Sequence, residues 1–255
     1  MKKHQLSPSE LHHRYQIQAA WTAAIRSKLF TISDMQAANH ILEVGSGTGV
    51  IIGEISTCFP GLTFGLDIDP QANAFASDCN PQTCYVTGDG EQLPFPENTF
   101  DTALCHFLML WVPDPGKITS EMARVTRPGG WVLALAEPDY GGRIDYPKEL
   151  AEIGELQTKA LAAQGTDPRI GRKLRDVFTR AGFLEVQVGV LGGEWIGSPS
   201  KEELDSEWRT LASDLHGTLP NEMLANLRKT DLKAWSDGSR ILYVPTFYAC
   251  GRVAG

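Results

Sequence analysis

Residues 41–49 read ILEVGSGTG, an apolar run that ends in three glycines at alternate positions. A glycine-rich turn directly after a strand lets the backbone approach a ligand closely, and such turns hold dinucleotides, phosphates or nucleosides. The dinucleotide fingerprint is GxGxxG, whereas Gly45, Gly47 and Gly49 are spaced GxGxG, and Glu43 precedes them. A carboxylate at this place repels a pyrophosphate and favours a cation. The stretch therefore favours a ligand that carries an amino group.

Two further acids follow the next predicted strands. Asp67 lies in GLDID, and Asp89 lies in GDGEQLPFPENTFD. A carboxylate at the end of the second strand is placed to accept hydrogen bonds from both hydroxyls of a ribose. Asp89 is similarly placed to accept a hydrogen bond from the exocyclic amine of an adenine. Each aspartate is also placed to cap the helix that follows it, and the sequence leaves both interpretations open.

The rest of the chain alternates short apolar segments with helical ones, which predicts a doubly wound α/β fold with a mostly parallel sheet. The strands are short and mostly apolar, as expected of strands that are buried on both faces. Seven strands are predicted at 40–45, 62–67, 82–87, 100–106, 130–137, 183–190 and 242–250. Helices are predicted at 48–58, 70–78, 116–126 and 169–181.

Three segments do not fit this alternation and are predicted to cover the sheet edge where ligands bind. The 255 residues are expected to form a single domain with its cofactor-binding core at 40–137. Residues 1–39, with helix-forming composition at 10–29, form an N-terminal helical lid in this interpretation. Residues 139–166 and 194–240 form helical cap insertions.

Composition limits the possible partners. The net charge is −8 and there is no long Lys/Arg cluster, so nucleic acid is not expected as a substrate. No run approaches the length of a membrane span and the N-terminus lacks a signal-peptide core, which predicts a soluble cytoplasmic protein with no membrane contact. Five cysteines without a CxxC pair indicate neither a disulfide framework nor a metal site.

Taken together, the motifs resemble those of the class I S-adenosylmethionine-dependent methyltransferases. The chain is most similar to the ubiquinone/menaquinone-biosynthesis group, also called methyltransferase type 11. The resemblance covers about residues 40–137 and rests on five motifs in order: ILEVGSGTG, GLDIDP, GDGEQLPFPENTFD, LMLWVPDP and ARVTRPGG. It implies a Rossmann-like sheet of seven strands whose last strand is antiparallel. It also implies S-adenosylmethionine (SAM) as cofactor and S-adenosylhomocysteine (SAH) as product.

The resemblance implies a set of residues around the cofactor. The methionine end would meet Glu43, Gly45, Ser46 and Gly47. Asp67 would hold the ribose, and the adenine would meet Ile68, Asp89, Gly90 and Glu91. Cys105 and His106 would lie near the sulfur and the donor methyl, and Arg26 or Tyr15 of the lid would reach the cofactor carboxylate.

Candidates for catalysis and acceptor binding follow from position. His106 is the first candidate for a general base, with His12 and His13 of the lid as further candidates, although methyl transfer does not require a base. Asp139, Tyr140 and Trp195 are candidate substrate contacts, and PDYGG is also good turn chemistry. Aromatic residues in or near the caps suggest an apolar pocket for a small molecule; they are Tyr146, Trp195, Trp208, Trp235 and Tyr243.

The leading hypothesis is therefore an enzyme that methylates a small organic acceptor. Two alternatives remain open: an NAD-type dehydrogenase, and a non-catalytic cofactor-binding module that acts as a regulator. The glycine spacing disfavours the dehydrogenase, and the intact loop and acids disfavour the module. EPDY looks like the DPPY motif of amino-group DNA methyltransferases, but it follows the fifth predicted strand rather than the fourth.

Overall fold

A computed structural model of the chain describes residues 6–192 and 198–255. Its main sheet has seven strands in the order β3-β2-β1-β4-β5-β9-β7. The first five are parallel, and β9 runs antiparallel to both β5 and β7, which confirms the predicted fold. The strands are β1 His40–Val44, β2 Leu62–Asp67, β3 Cys84–Thr87, β4 Phe100–Cys105, β5 Thr126–Pro138, β7 Leu184–Val190 and β9 Thr246–Arg252.

Helices cover the sheet where the sequence predicts them, and their starts carry helix-capping chemistry. Asp69 begins one helix by accepting a hydrogen bond from the Gln71 amide at 2.9 Å, with proline in the first turn. Ser7 and Glu10 form a capping box at the start of the N-terminal helix. The helices of this layer are α1 Pro8–Ile32, α2 Val50–Cys58, α3 Pro70–Cys79, α4 Pro115–Val125 and α6 Leu174–Arg180.

Two predicted elements differ from the observed ones. The strand predicted at 242–250 is divided into β8, Ile241–Tyr243, and β9. Pro245 lies between them, and a proline has no amide hydrogen to continue a ladder. The helix predicted at 169–181 begins only at Leu174, after a short 3₁₀ turn.

The caps form a small substructure with its own core. It contains β6, Ile144–Tyr146, paired with β8, and the helices α5 Ile153–Ala163, α7 Lys201–Asp214 and α8 Asn221–Ser236. Its buried residues are Leu150, Ile153, Ala160, Trp208, Leu211 and Leu215. Trp208 thus packs inside the cap and does not line a ligand pocket.

Buried ion pairs hold the cap elements together. Asp145 of β6 accepts hydrogen bonds from Arg143 at 2.7 Å and from Arg240 at 2.6 Å, and Arg240 also donates to Asp231 of α8 at 2.5 Å. All four side chains are at most 5% exposed. Removing one partner from such a pair leaves a buried charge without compensation, which is strongly destabilising. No helix in the described part of the chain is long and apolar enough to cross a membrane.

Candidate active site

Three glycines shape the loop between β1 and α2. Gly45, Gly47 and Gly49 have φ values of 73°, 51° and 78°, in the left-handed region that only glycine adopts without strain. A Cβ on Gly45 would lie 2.6 Å from a methyl carbon of Leu108, and a Cβ on Gly47 would lie 3.0 Å from the ring of Tyr15. The glycines are therefore required both by the backbone conformation and by the close approach of neighbouring side chains.

The amides of this loop are bonded within the protein. Gly45 and Ser46 both donate to the Leu66 carbonyl, at 2.7 and 3.0 Å. Gly47 donates to Oδ2 of Asp67 at 2.7 Å. A pyrophosphate site needs loop amides that are free to bind the ligand. This loop supports a ligand by its shape rather than by a set of free N–H groups.

Glu43 is the buried acid in front of the loop and is only 2% exposed. Its Oε2 accepts a hydrogen bond from the Ile52 amide at 2.9 Å, in the first turn of α2. Burial raises its pKa well above the usual value for a glutamate. In a dinucleotide enzyme the phosphate lies at this helix N-terminus, which attracts negative charge. Here a carboxylate of the protein itself already occupies that position.

Asp67 and Ile68 follow at the end of β2. Asp67 uses Oδ2 for the Gly47 amide and Oδ1 for the Asp69 amide at 2.9 Å, and each oxygen can accept a second bond. Burial raises its pKa. Ile68 next to it is 53% exposed, which is unusual for a large apolar side chain. This pair suits a nucleoside, because the Asp67 carboxylate can accept hydrogen bonds from the ribose hydroxyls while the exposed Ile68 side chain packs against the flat base.

The loop after β3 carries further residues that the sequence predicts to contact the adenine. Asp89 is exposed, and its Oδ1 accepts from the Glu91 amide at 2.9 Å, so it shapes the turn. Glu91 pairs with Lys117 at 3.2 Å. A Cβ on Gly90 would lie 2.8 Å from Ile118, so the backbone here is pressed against α4. Three of the four predicted adenine contacts, Asp89, Gly90 and Glu91, thus lie together in one turn.

Helix α1 covers the glycine loop. Nδ1 of His12 lies 3.1 Å from Oγ1 of Thr48, and the ring of Tyr15 lies over Gly47. On the opposite side, His13 lies 3.1 Å from Glu202 at the start of α7. The lid helix therefore lies between the cofactor loop and the cap.

Arg26 of the same helix is buried, and its guanidinium is engaged by the protein. It donates to the Ala19 carbonyl, to Oγ1 of Thr22 at 2.6 Å and to Glu54 at 2.5 Å. The expectation that Arg26 reaches the cofactor carboxylate is not supported by this geometry. Of the two predicted lid contacts, Tyr15 is the one that faces the glycine loop.

The end of β4 carries Cys105 and His106. Cys105 lies in the main core, and burial raises the pKa of its thiol well above the usual value. Nε2 of His106 lies 2.9 Å from Oγ1 of Thr22. Burial, with a smaller effect of the Arg26 charge, lowers the pKa of His106 to about 3. An imidazole with so low a pKa is neutral at pH 7 but a weak base, which disfavours it as a general base.

Glu137 of β5 is a residue of this site that the sequence reasoning missed. It is completely buried, and its Oε1 accepts hydrogen bonds from the amides of Leu108 and Met109 at 3.0 and 3.1 Å. The available signal was a carboxylate at the end of the buried run LALAEP, where an acid needs a specific reason to be tolerated.

The predicted substrate contacts have different surroundings. Asp139 is buried, and both of its oxygens accept hydrogen bonds from Arg172, so its carboxylate joins the end of β5 to the 3₁₀ turn before α6. Tyr140 packs against the main core, and burial and the nearby carboxylates of Asp214 and Glu207 raise its pKa, so its role as a substrate contact stays a prediction. Trp195 lies outside the described residues.

The sheet is Rossmann-like, and at its carboxyl edge the amides of Gly45, Ser46 and Gly47 are bonded within the protein instead of being free for a phosphate. The family described as "Methyltransferase domain", type 11, matches residues 42–134. The demethylmenaquinone methyltransferase of Shouchella clausii is 30% identical over 181 residues, which cover 61% of this chain and 74% of that protein. The chain belongs to the class I SAM-dependent methyltransferases of the type 11 group.

Solved structures share the fold at low sequence identity. The phosphoethanolamine N-methyltransferase 2 of Haemonchus contortus, in complex with SAM, is 16% identical with a TM-score of 0.60, and the match covers 91% of this chain but 53% of that one. The [4+2]-cyclase SpnF is 18% identical with a TM-score of 0.60, covering 93% of this chain and 83% of that one. Because a cyclase shares the fold, the fold alone does not decide the reaction.

Proposed function

We infer that this protein binds SAM in the cradle at the carboxyl edge of the sheet, transfers its methyl group to a small organic acceptor and releases SAH. The observation that carries the proposal is the carboxylate of Glu43 at the N-terminus of α2. It excludes a pyrophosphate from the place where a dinucleotide would need it and leaves a buried acid suited to an ammonium group.

The residues present fit this cofactor. Glu43 would attract the amino group, Asp67 would accept from the ribose hydroxyls, and Ile68 would cover one face of the adenine. The backbone of the glycine loop, Gly45 to Gly47, would pass alongside the methionine part, with Tyr15 above it. The turn of Asp89, Gly90 and Glu91 would meet the adenine edge.

The bound cofactor supplies a methyl group that is already activated by the positive sulfur. The protein therefore has mainly to position the acceptor and to exclude water. Positioning contributes on the order of 7–11 kcal/mol to such a step. A general base contributes about 3–5 kcal/mol. Because the pKa of His106 is lowered to about 3, we assign His106 to the wall of the site and not to proton transfer.

The acceptor is proposed to be a small molecule bound between the lid and the caps. The caps at 139–166 and 194–240 and the lid at 1–39 are proposed to belong to one domain with the core. Helix α1 contacts both the glycine loop and α7, so it closes the space above the cradle from one side. The demethylmenaquinone relative, by its name, acts on a small organic molecule, which supports this class of acceptor. The net charge of −8 disfavours nucleic acid.

Calorimetric titration with SAM, SAH and NAD is the first test. Binding of SAM and SAH without binding of NAD is expected, and tight binding of NAD alone would exclude the proposal. A panel of quinols, amines, phenols and carboxylic acids is then incubated with SAM and analysed by mass spectrometry. SAH formation that depends on one acceptor identifies an enzyme, whereas SAM binding with no turnover across the panel would favour the non-catalytic module.

A further inference from the structure

Glu137 is a completely buried acid at the end of β5, and only part of it is satisfied by the protein. Its Oε1 accepts from the Leu108 and Met109 amides and lies 3.9 Å from the sulfur of Cys105. Its Oε2 is buried and has no partner in good hydrogen-bond geometry in the described part of the chain, although the nearby Leu110 amide also favours the ionised form of the carboxyl group. An unsatisfied buried carboxylate oxygen is costly, so its retention calls for an explanation.

The turn that Glu137 holds is strained. Phe107 has a φ of 53°, which is unfavourable for a bulky residue and persists only when its surroundings fix it. The Phe107 amide donates to the Ala136 carbonyl at 2.9 Å, and Glu137 binds the next two amides. Two consecutive residues of β5 therefore fix this turn.

The same turn brings two side chains to the cradle. His106 reaches Thr22 of the lid at 2.9 Å, and Leu108 lies against Gly45 of the glycine loop. Glu137 is thus a positioning residue, because it fixes the groups that contact the lid and the loop. It lies behind the end of β4, where the family resemblance implies the sulfur of the cofactor, and its Oε1 is 3.9 Å from the sulfur of Cys105.

The groups that most affect the pKa of Glu137 include no positive charge. Within residues 6–192 and 198–255 they are three backbone amides and the thiol of Cys105, besides burial itself. The thiol of Cys105 and the carboxyl group of Glu43 have raised pKa values, His106 is neutral, and Arg26 is paired with Glu54. Burial raises the pKa of Glu137 to about 7, against the opposing effect of the amide hydrogen bonds. This group therefore changes its charge near neutral pH.

We propose that Glu137 compensates the charge of the donor: it is ionised while the cofactor carries the sulfonium, and it takes up a proton from solvent when only the neutral thioether product remains. The inference rests on the proposed function, since it requires SAM in the cradle. A positive charge near a buried carboxyl group favours the ionised form, and the effect is large where water is excluded. The consequence is a site that holds SAM more tightly than SAH as the pH rises.

The test is a count of protons exchanged on binding. SAM and SAH are titrated calorimetrically into the protein at pH 7 in buffers of different ionisation enthalpy. SAM should release about half a proton more than SAH, since a group with a pKa of about 7 is half protonated there. The sulfonium lowers the pKa of the amino group of SAM relative to that of SAH, so the titration of each free ligand is measured separately and subtracted. The affinity ratio of SAM to SAH should increase roughly fivefold to tenfold from pH 6 to pH 8.

Substitution assigns the effect to the residue. Glu137→Gln should bind both ligands with equal proton exchange and a constant affinity ratio, while Glu149→Gln, an exposed control, should behave as the wild type. If Glu137→Gln does not fold, infrared difference spectra of the wild type with and without ligand provide the test. The band of a protonated carboxyl group should be lost when SAM binds and kept when SAH binds.

Three outcomes would overturn the inference. Equal proton exchange for SAM and SAH in the wild type contradicts it while the proposed function stands. A difference that persists in Glu137→Gln assigns the proton to another group. Failure of both ligands to bind removes the proposed function itself, and this inference with it.

Discussion

Replacing Glu137 with glutamine should change how the stability of the ligand-free protein depends on pH. Burial raises the pKa of this carboxyl group from 4.5 to about 7 in the folded state. The folded protein therefore binds more protons than the unfolded chain between these values. Its stability contribution is fully present below about pH 4.5 and is lost as the pH rises through 7. The wild type should consequently become less stable across this range.

The magnitude follows from the shift. At about 1.4 kcal/mol per pKa unit, a rise from 4.5 to about 7 amounts to about 3 kcal/mol over the whole range. Between pH 5 and pH 8 the loss is about 2 to 3 kcal/mol. Glutamine keeps an oxygen for the Leu108 and Met109 amides but leaves its own N–H groups unpaired, at a cost of about 1–3 kcal/mol. That cost does not vary with pH. The test of the Glu137 titration is therefore the pH dependence of the free energy of unfolding, and not the constant difference between the two proteins.

Urea denaturation at pH 5, 6, 7 and 8 measures the free energy of unfolding of both proteins. The difference between wild type and Glu137→Gln removes the contributions of other shifted acids, such as Glu43 and Asp67, because both proteins contain them. The variant should gain about 2 to 3 kcal/mol relative to the wild type between pH 5 and pH 8. Parallel curves would show that the Glu137 carboxyl group does not titrate in this range and would refute the reasoning.

Three further substitutions test other parts of the structure. Asp67→Ala should weaken SAH binding by about 1.5–3 kcal/mol in calorimetry if its bonds are charge-assisted, and unchanged affinity would remove it from the site. His106→Gln should lower kcat less than tenfold and leave its pH profile unchanged, since a loss of a hundredfold or more is expected only of a general base. Trp208→Phe removes a 2.8 Å bond to the buried Asp231 and should cost about 1–3 kcal/mol in urea denaturation. Trp21→Phe, which is 57% exposed, is its control with an expected change near zero.

The parts of the site that the sequence predicted are those fixed by local requirements. Gly45 and Gly47 adopt positive φ values, which restrict the choice of residue directly. Asp67 ends a strand whose apolar pattern is visible in the sequence, so its position at the edge of the sheet follows from the fold. The antiparallel direction of the last strand follows from the family resemblance, and the pairing of β9 with β5 confirms it.

The parts that the sequence did not predict depend on contacts between distant segments. From the sequence alone, an arginine in a helix such as Arg26 is expected to face solvent. In the structure it is buried and bonded to Glu54, 28 residues away. Asp139 looks like a substrate contact until Arg172, 33 residues away, takes both of its oxygens. Local composition does not encode such pairings, because an Arg or Asp can satisfy its charge in many ways. The role of Glu137 was hidden for the same reason.

Helix α1 connects these observations into one expectation about access to the site. It contacts the glycine loop through His12 and Tyr15, the turn after β4 through Thr22, and the cap through His13. The ring of Tyr15 lies over Gly47, beside the path that the methionine part of the cofactor would take. The glycine loop, the turn after β4 and the cap all contact α1. We therefore expect a ligand that moves Tyr15 to change the contacts of the lid with the cap. For the same reason, we expect cofactor binding and acceptor access to be coupled through α1, and we expect the acceptor to enter on the side of the cap that α1 does not cover.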